Sequence, residues 1–173
     1  MSNTKVQTKI RPIAVHDLDT ILTIDREIRK AHKAITYASI TTADIITSET
    51  RTSSRKRSSS YYLDLISRET TGSLSLGFAA EVKGHVQGFA IGRIASVGKP
   101  STRVGQIVII GVHPDYQRRG IATQLVKTIC DEFHSRDVAL AEFEVDIRDK
   151  ELLGFVERMG FNARQPIRYT KNL

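Results

Sequence analysis

The chain has 173 residues, 40% of them hydrophobic, a length that fits one globular domain with its own core. No apolar run approaches the roughly 20 residues of a membrane span, and the first residues lack the apolar segment of a secretory signal. The single Cys130 excludes an intramolecular disulfide. We therefore expect a cytoplasmic protein. The formal net charge of +7 indicates an anionic partner but does not distinguish nucleic acid, an acidic protein surface and a polyphosphate cofactor.

The first third of the chain predicts a strand followed by helices. Residues 10–13 predict a short first strand, and Asp17 is placed to cap a helix whose apolar residues recur at helical spacing: Leu18, Ile21, Leu22 and Ile28. Residues 36–60 are rich in Thr, Ser and charge and show no period, and the run 51–60 within them is typical of a solvated loop. Apolar residues among 61–66 then predict a second, short helix.

The middle of the chain changes to strand patterns. Residues 78–82 and 86–94 flank a turn at 83–85, which predicts an antiparallel hairpin. Residues 106–112 are nearly all apolar, as expected of a central strand covered on both faces. After a break at 113–116, a helix is predicted from a buried stripe and its flanking residues: Ile121, Leu125, Ile129 and Phe133, with Ala122, Val126 and Cys130 beside them.

The last third predicts a strand, a helix and a strand. Residues 138–147 alternate, with Ala139, Ala141, Phe143, Val145 and Ile147 on one face and Glu142, Glu144 and Asp146 on the other with Val138 and Leu140. Asp149 is placed to cap a short helix that carries Leu152, Val156 and Met159 and ends at Gly160. A last strand is expected from Phe161 towards Tyr169. The order of the elements predicts a single domain built on a mixed α/β sheet.

The segment 117–123 is the strongest candidate for a binding site. A helix that begins directly after a basic, glycine-containing loop exposes unpaired backbone N–H groups and a positive dipole end, which suits a pyrophosphate. Gly120 permits close approach of backbone and ligand, and Arg118 and Arg119 add charged donors. The Gly-Lys-Ser/Thr ending of a Walker loop and the spaced glycines of a Rossmann fingerprint are both missing.

These residues resemble a known family. The run Val112-His113-Pro114-Asp115-Tyr116-Gln117-Arg118-Arg119-Gly120-Ile121-Ala122 is similar to the acetyl-CoA motif of the GNAT N-acetyltransferases, Gln/Arg-x-x-Gly-x-Gly/Ala after a strand ending in Val-x-Pro. Gly88-Phe89-Ala90 resembles the family's third strand and Met159-Gly160-Phe161 its closing Gly-Phe. The order of elements agrees from residue 10 to about 169, except over 36–60. Glu144-Val145-Asp146 is similar to the Glu-Val-Arg of RimI-like ribosomal-protein N-terminal acetyltransferases.

The resemblance implies the GNAT acyl-CoA N-acyltransferase fold, with one domain over residues 1–173. Its mixed central sheet would be splayed between the fourth and fifth strands and flanked by helices. Acetyl-CoA would be the cosubstrate, with its pantetheine arm paired to the backbone of Ile110, Gly111 and Val112. The residues that would hold the pyrophosphate are Arg118, Arg119, Gly120, Ile121, Ala122 and Thr123. Asp149, at the start of the last helix, is a further candidate for cofactor binding. The histidines show no spacing of metal ligands, so no metal is implied.

Three departures from the family pattern bear on catalysis. Gln106 stands where many members carry a catalytic glutamate on the fourth strand, Val156 stands at the usual tyrosine of the last helix, and Asp149 replaces the usual asparagine. Glu144 is then the candidate base, and the CoA thiolate has no obvious acid to protonate it. The alternative is that Glu144 simply belongs to a solvated acidic face with Glu142 and Asp146. Cys130 is interpreted as a core residue.

The implied function is transfer of the acetyl group of acetyl-CoA to a primary amine, by direct attack in a ternary complex. The amine would belong to a protein or peptide, at an N-terminus or a lysine. Acetylation of a small amine or polyamine is an alternative in the same class. Two alternatives lie outside it: a catalytically silent acetyl-CoA sensor, and a nucleic-acid-binding module that uses the basic residues 51–57. We expect no membrane partner, disfavour nucleic acid, and leave a homodimer open.

Overall fold

The computed structural model describes residues 7–31, 74–97, 100–145, 147 and 149–163. The elements are, in chain order, β1 (Lys9–Pro12), a 3-10 turn (Val15–Asp17), α1 (Leu18–Lys30), β2 (Leu74–Val82), β3 (His85–Val97), β4 (Thr102–Val112), a 3-10 turn (Pro114–Tyr116), α2 (Ile121–Ser135), β5 (Ala141–Phe143) and α3 (Lys150–Arg158). The segment 36–60, with the loop predicted over 51–60, and the predicted helix near 61–66 lie outside the described residues.

The five strands form one open mixed sheet in the order β1-β2-β3-β4-β5. The first three pairings are antiparallel, and β2 and β3 form the predicted hairpin around Lys83 and Gly84, both at positive φ. β4 and β5 run parallel because α2 carries the chain back between them, as parallel strands require. The predicted mixed sheet flanked by helices is therefore confirmed.

β4 and β5 are paired at one end only. Within the described residues their register joins Gly105 to Ala141, Gln106 to Glu142, and Ile107 to Phe143. β4 continues from there to Val112, whereas β5 stops at Phe143. The last five residues of β4 thus extend beyond the pairing, which is the splay that the family resemblance implies.

The two faces of the sheet are covered by different helices. The predicted stripe of α2 is buried against one face, and α1 packs Ile21, Ile24 and Ile28 against the other, next to Phe89 and Ile109. The ring of Phe133 occupies a slot over two glycines of adjacent strands, since a Cβ at Gly105 would lie 2.4 Å from that ring and one at Gly92 2.9 Å from it. This slot sets the position of α2 over β3 and β4.

α1 begins at Leu18, directly after Asp17, as predicted, but the predicted capping role of Asp17 is wrong because its carboxylate turns back towards Ala14 and Arg11. The buried carboxylate of Asp17 accepts hydrogen bonds from the Ala14 N–H at 2.7 Å and from the Arg11 guanidinium at 2.6 and 2.8 Å. Arg11 also contacts Glu81 on β2 at 2.7 Å. The network ties β1, β2 and the turn before α1 together.

The predicted fifth strand over 138–147 is wrong in its extent. The strand is confined to Ala141–Phe143. Val138, which we placed on the polar face, is buried in the α2 core, because the turn after α2 directs its N–H to the Phe133 carbonyl at 3.1 Å. Ile147, which we placed on the apolar face, is 74% exposed. Period-two alternation holds only where the backbone is extended and paired, so it fails on both sides of the short strand.

The end of α3 follows the prediction, and the strand after it does not. Gly160 has φ 88°, its N–H meets the Glu157 carbonyl at 3.0 Å, and the Phe161 N–H meets the Val156 carbonyl at 3.1 Å. This is a Schellman ending, which needs a residue in the left-handed region. Residues 161–163 form no strand, and the rest of the predicted last strand lies outside the described residues.

Candidate functional site

The loop after β4 folds back onto the end of that strand. The N–H of His113 donates to the Gln87 carbonyl at 2.8 Å, and the side-chain amide of Gln117 donates to the Val112 carbonyl at 3.0 Å. A Cβ at Gly88 would come within 3.0 Å of the Gly111 carbonyl oxygen and 3.1 Å of Ile121. Because of this close contact, the first residue of α2 lies directly beside the ends of β3 and β4.

The backbone of the loop exposes the first turn of α2. Arg118 has φ 62° and Gly120, the N-cap residue, has φ 82°. The helix is closed from the Gln124 N–H to the Gly120 carbonyl, at 3.1 Å. The N–H groups of Ile121, Ala122 and Thr123 therefore have no helical carbonyl one turn earlier, and they lie at the positive end of the helix dipole. Among the described residues, apart from its neighbours in the chain, none lies within 4 Å of a Cβ built at Gly120, so a phosphate has room to approach.

The two arginines of the loop are exposed and reach different neighbours. Arg118 forms an ion pair with Glu151 in the first turn of α3. The guanidinium of Arg119 lies 5.1 Å from the centre of the Tyr116 ring. A guanidinium carries five N–H donors, so each of these contacts leaves donors for an anion. The Arg118 pair also links the loop to α3 across the β4–β5 opening.

The opening between β4 and β5 brings the remaining cofactor candidates together. Ile110, Gly111 and Val112 pair with β3 on one edge, and their other edge runs along the opening. On the β5 side, the Asp149 carboxylate caps α3 as predicted, accepting from the Leu152 N–H at 2.9 Å. One wall of the opening is thus β4 with its loop, and the other is β5 leading into α3.

A polar row crosses three strands where the opening closes. Arg93 on β3 donates through Nε to the side-chain oxygen of Gln106 on β4 at 2.8 Å, and the Gln106 amide nitrogen faces a Glu142 carboxylate oxygen at 3.5 Å. The neighbours of Gln106 and Glu142 along their strands, including Ile107 and Phe143, belong to the α2 core, so the row lies on the opposite, α1 face. The sequence did not predict this row, because its three residues are brought together by the register of the strands and not by their spacing along the chain.

Glu144 lies two residues beyond Glu142, directly after the end of β5, and is exposed. The proposed base therefore lies at the point where β5 has already left β4. Glu142, in contrast, is half-buried and contacts Gln106, so it is more than part of a solvated acidic face.

Residues interpreted as structural have that character. Val156 is buried, and its neighbours Phe155 and Met159 pack against the α2 core. Cys130 is half-buried, and burial, together with the charge of Asp131, raises the pKa of its thiol, which disfavours the nucleophilic thiolate. The ring nitrogen Nδ1 of His113 accepts from the Asp115 N–H at 3.3 Å, which stabilises the turn. In the described part of the chain, no three potential metal ligands converge, and no helix has the length and apolarity to cross a membrane.

Comparisons with known proteins agree with this architecture. The model of the acetyltransferase (GNAT) family matches residues 42–161. A transcriptional regulator from Bacillus halodurans C-125 has a TM-score of 0.68 at 15% identity, over 96% of this chain and 100% of that one. An aminoglycoside acetyltransferase from an uncultured soil metagenomic sample, in complex with trehalose, has a TM-score of 0.66 at 14% identity, over 96% of each chain.

A ribosomal-protein-alanine N-acetyltransferase from Brucella melitensis biovar Abortus 2308 has a TM-score of 0.64 at 17% identity, over 96% of this chain and 99% of that one. At these identities the three structures establish a common fold. Their different activities leave the acceptor open.

Proposed function

Because the chain belongs to the GNAT family of acetyltransferases, we propose that it transfers the acetyl group of acetyl-CoA to a primary amine of a protein or peptide, at an N-terminus or a lysine. One arrangement carries the proposal: a helix start with Gly120 in the left-handed region stands beside a β4 that extends past its parallel partner. The first part suits a diphosphate, and the second leaves an edge of backbone along which an extended arm can lie.

The residues of the opening fit acetyl-CoA by their chemistry. The N–H groups of the first turn of α2, with the guanidinium groups of Arg118 and Arg119, are donors for the diphosphate. The backbone of 110–112 is the proposed partner of the pantetheine amides, and Asp149 lies on the facing wall, next to the start of α3. When bound, acetyl-CoA supplies an acetyl group activated as a thioester.

The protein must then provide for the proton of the amine. At pH 7 a lysine amine with pKa near 10.4 is only about 0.04% neutral, whereas an α-amine with pKa near 7.7–8.0 is roughly 10–17% neutral. We assign Glu144 as the base, acting directly or through one water. Its carboxylate first takes one proton from the ammonium form of the acceptor. The neutral nitrogen then forms the new C–N bond, loses its second proton to solvent as the C–S bond breaks, and CoA leaves as the thiolate. Glu144 is exposed, so it can return the proton to solvent.

Two classes of acceptor have support. The easier deprotonation of an α-amine favours a protein N-terminus, and a ribosomal-protein-alanine N-acetyltransferase shares the fold. An aminoglycoside acetyltransferase shares it at a comparable TM-score, which supports small amines as the second candidate.

The test is a thiol-release assay with acetyl-CoA and four named acceptors: an alanine-starting peptide, an N-terminally blocked lysine peptide, spermidine and kanamycin. We expect release well above acetyl-CoA hydrolysis with a peptide acceptor, and an acetylated product by mass spectrometry. Acetyl-CoA binding without release for any acceptor would refute the enzymatic proposal and favour a sensor. Steeply salt-dependent binding of DNA or RNA, without acetyl-CoA binding, would favour the nucleic-acid alternative.

A further inference from the structure

The side-chain amide of Gln106 is oriented from both sides. Arg93 can only donate hydrogen bonds, so the Gln106 atom that it meets at 2.8 Å is the carbonyl oxygen. The amide NH₂ must then turn the other way, towards Glu142, whose ionised carboxylate can only accept. At 3.5 Å this second contact is long, but the two neighbours agree on one orientation of the amide. The row therefore presents an ordered carboxylate at its β5 end.

That carboxylate lies at the closed end of the β4–β5 opening. Gln106 and Glu142 form the pair next to Ile107 and Phe143, the last pair before the strands separate. From Val112, beside the loop, to Ile107 is five residues, which span about 17 Å of strand. An arm that starts at the loop and follows β4 runs towards this end, so the acceptor must meet the transferred group near Glu142.

The chemistry of the β5 end of the row, away from the Arg93 guanidinium, suits an incoming cation. A primary amine is mostly protonated near neutral pH, so it arrives as an ammonium group. The amide at Gln106 carries no charge to attract it. Glu142, in register with Gln106 on the neighbouring strand, supplies a negative charge in its place. An ionised carboxylate has about four acceptor sites, so the single contact with Gln106 leaves sites for the N–H groups of an ammonium.

We propose that Glu142 binds the acceptor's ammonium group, and that Gln106, itself held by Arg93, is the positioning residue that orients the Glu142 carboxylate. This inference rests on the proposed acetyl transfer and adds an acceptor site to it. Glu142 holds the amine, and Glu144, two residues further along the chain, takes its proton. The acceptor is therefore recognised as a cation before it reacts.

The test is steady-state kinetics with the fastest acceptor of the four named above. Glu142→Gln should raise the KM for the acceptor roughly 10–100-fold, the usual worth of a hydrogen bond to a charged group, while kcat stays within about threefold. Gln106→Leu keeps the carboxylate and frees its orientation, so the acceptor KM should rise by less, and the KM for acetyl-CoA should stay unchanged in both variants. Glu157→Gln, at an exposed site on α3, is the matched control and should change neither constant.

The possible outcomes distinguish a failure of this inference from a failure of the proposed acetyl transfer on which it rests. An unchanged acceptor KM in Glu142→Gln would overturn the inference while leaving acetyl transfer intact. A fall in kcat at constant acceptor KM would also overturn it, because Glu142 would then be the base. If wild-type protein turns over none of the four acceptors, the acetyl-transfer proposal fails and the inference fails with it. Melting temperatures of the variants show whether any loss arises from unfolding.

Discussion

Two glycines allow the cofactor loop to be tested with an internal control. Gly120 in the loop and Gly84 in the β2–β3 turn have nearly equal φ, 82° and 80°, and at neither position would a Cβ come within 4 Å of a described residue other than its chain neighbours. Replacing either glycine by valine should therefore cost mainly backbone strain. Left-handed backbone costs an L-residue about 1–2 kcal/mol, and a domain of this size loses about 2–4 °C of Tm per kcal/mol. Each variant should melt about 2–8 °C below wild type.

The two variants should differ in their response to acetyl-CoA. At a hundred times its Kd, acetyl-CoA stabilises wild-type protein by about 2.7 kcal/mol, which raises Tm by about 5–11 °C. Gly84→Val should retain this shift. In Gly120→Val the new side chain fills the open space before the first turn of α2, and a hundredfold weaker Kd would leave about 0.4 kcal/mol at the same concentration, a shift of only about 1–2 °C.

Differential scanning fluorimetry with acetyl-CoA, and with ATP as a second polyphosphate, measures all of these shifts. An equal acetyl-CoA shift in Gly120→Val and Gly84→Val would show that the loop is not the binding site. An equal shift with ATP and acetyl-CoA in wild-type protein would show that the site recognises any polyphosphate.

Three further predictions concern single side chains. Glu144→Gln should lower kcat/KM about 10²–10⁴-fold and leave the affinity for acetyl-CoA unchanged. The loss should be smaller at higher pH, because the free amine then needs no base. A change in kcat/KM within threefold would exclude Glu144 as the base. Cys130→Ala should keep full turnover and lose about 1 kcal/mol of stability, and an acetylated Cys130 trapped by mass spectrometry would contradict direct transfer. The hydrogen bonds from Arg11 hold the pKa of Asp17 below its ordinary value. These bonds therefore stabilise the folded protein fully above the unfolded-state pKa near 3.9. Their contribution is lost as the pH falls through the lower pKa of the folded state. In urea titrations, the gap between wild type and Asp17→Asn should therefore be wide at pH 7 and narrow on acidification, and a gap independent of pH would refute this assignment.

Sequence patterns predicted correctly those features that depend only on residues close together in the chain. The stripe of α2, the burial of β4 on both faces, the β2–β3 hairpin and the ending of α3 at Gly160 all follow from spacing and capping within a few residues. The loop at Gly120 was also identified in this way, because a helix start, a glycine and two arginines are adjacent in the chain. Its role in binding acetyl-CoA stays a prediction.

The same reasoning failed where the pairing of strands determines the extent of an element. Alternation over 138–147 predicted a long fifth strand, but only Ala141–Phe143 pairs with β4. Val138 is turned into the core by the end of α2, and Ile147 lies out in solvent. A residue pattern cannot show where a strand separates from its partner. The candidate site lies at the point where β5 separates from β4.

The amino-acid sequence by itself determined the family, the class of fold and the position of the glycine-containing loop before α2, because these depend on motifs and periods along one stretch of chain. Only the tertiary structure decided which side chains meet at the closed end of the opening and across it. Gln106 and Glu142 are 36 residues apart, and Arg118 and Glu151 are 33 apart. Their contacts depend on how α2 returns the chain to β5, with Phe133 seated over Gly92 and Gly105. The register of this parallel pair follows from such long-range contacts, because no tight turn joins β4 to β5 as it joins β2 to β3.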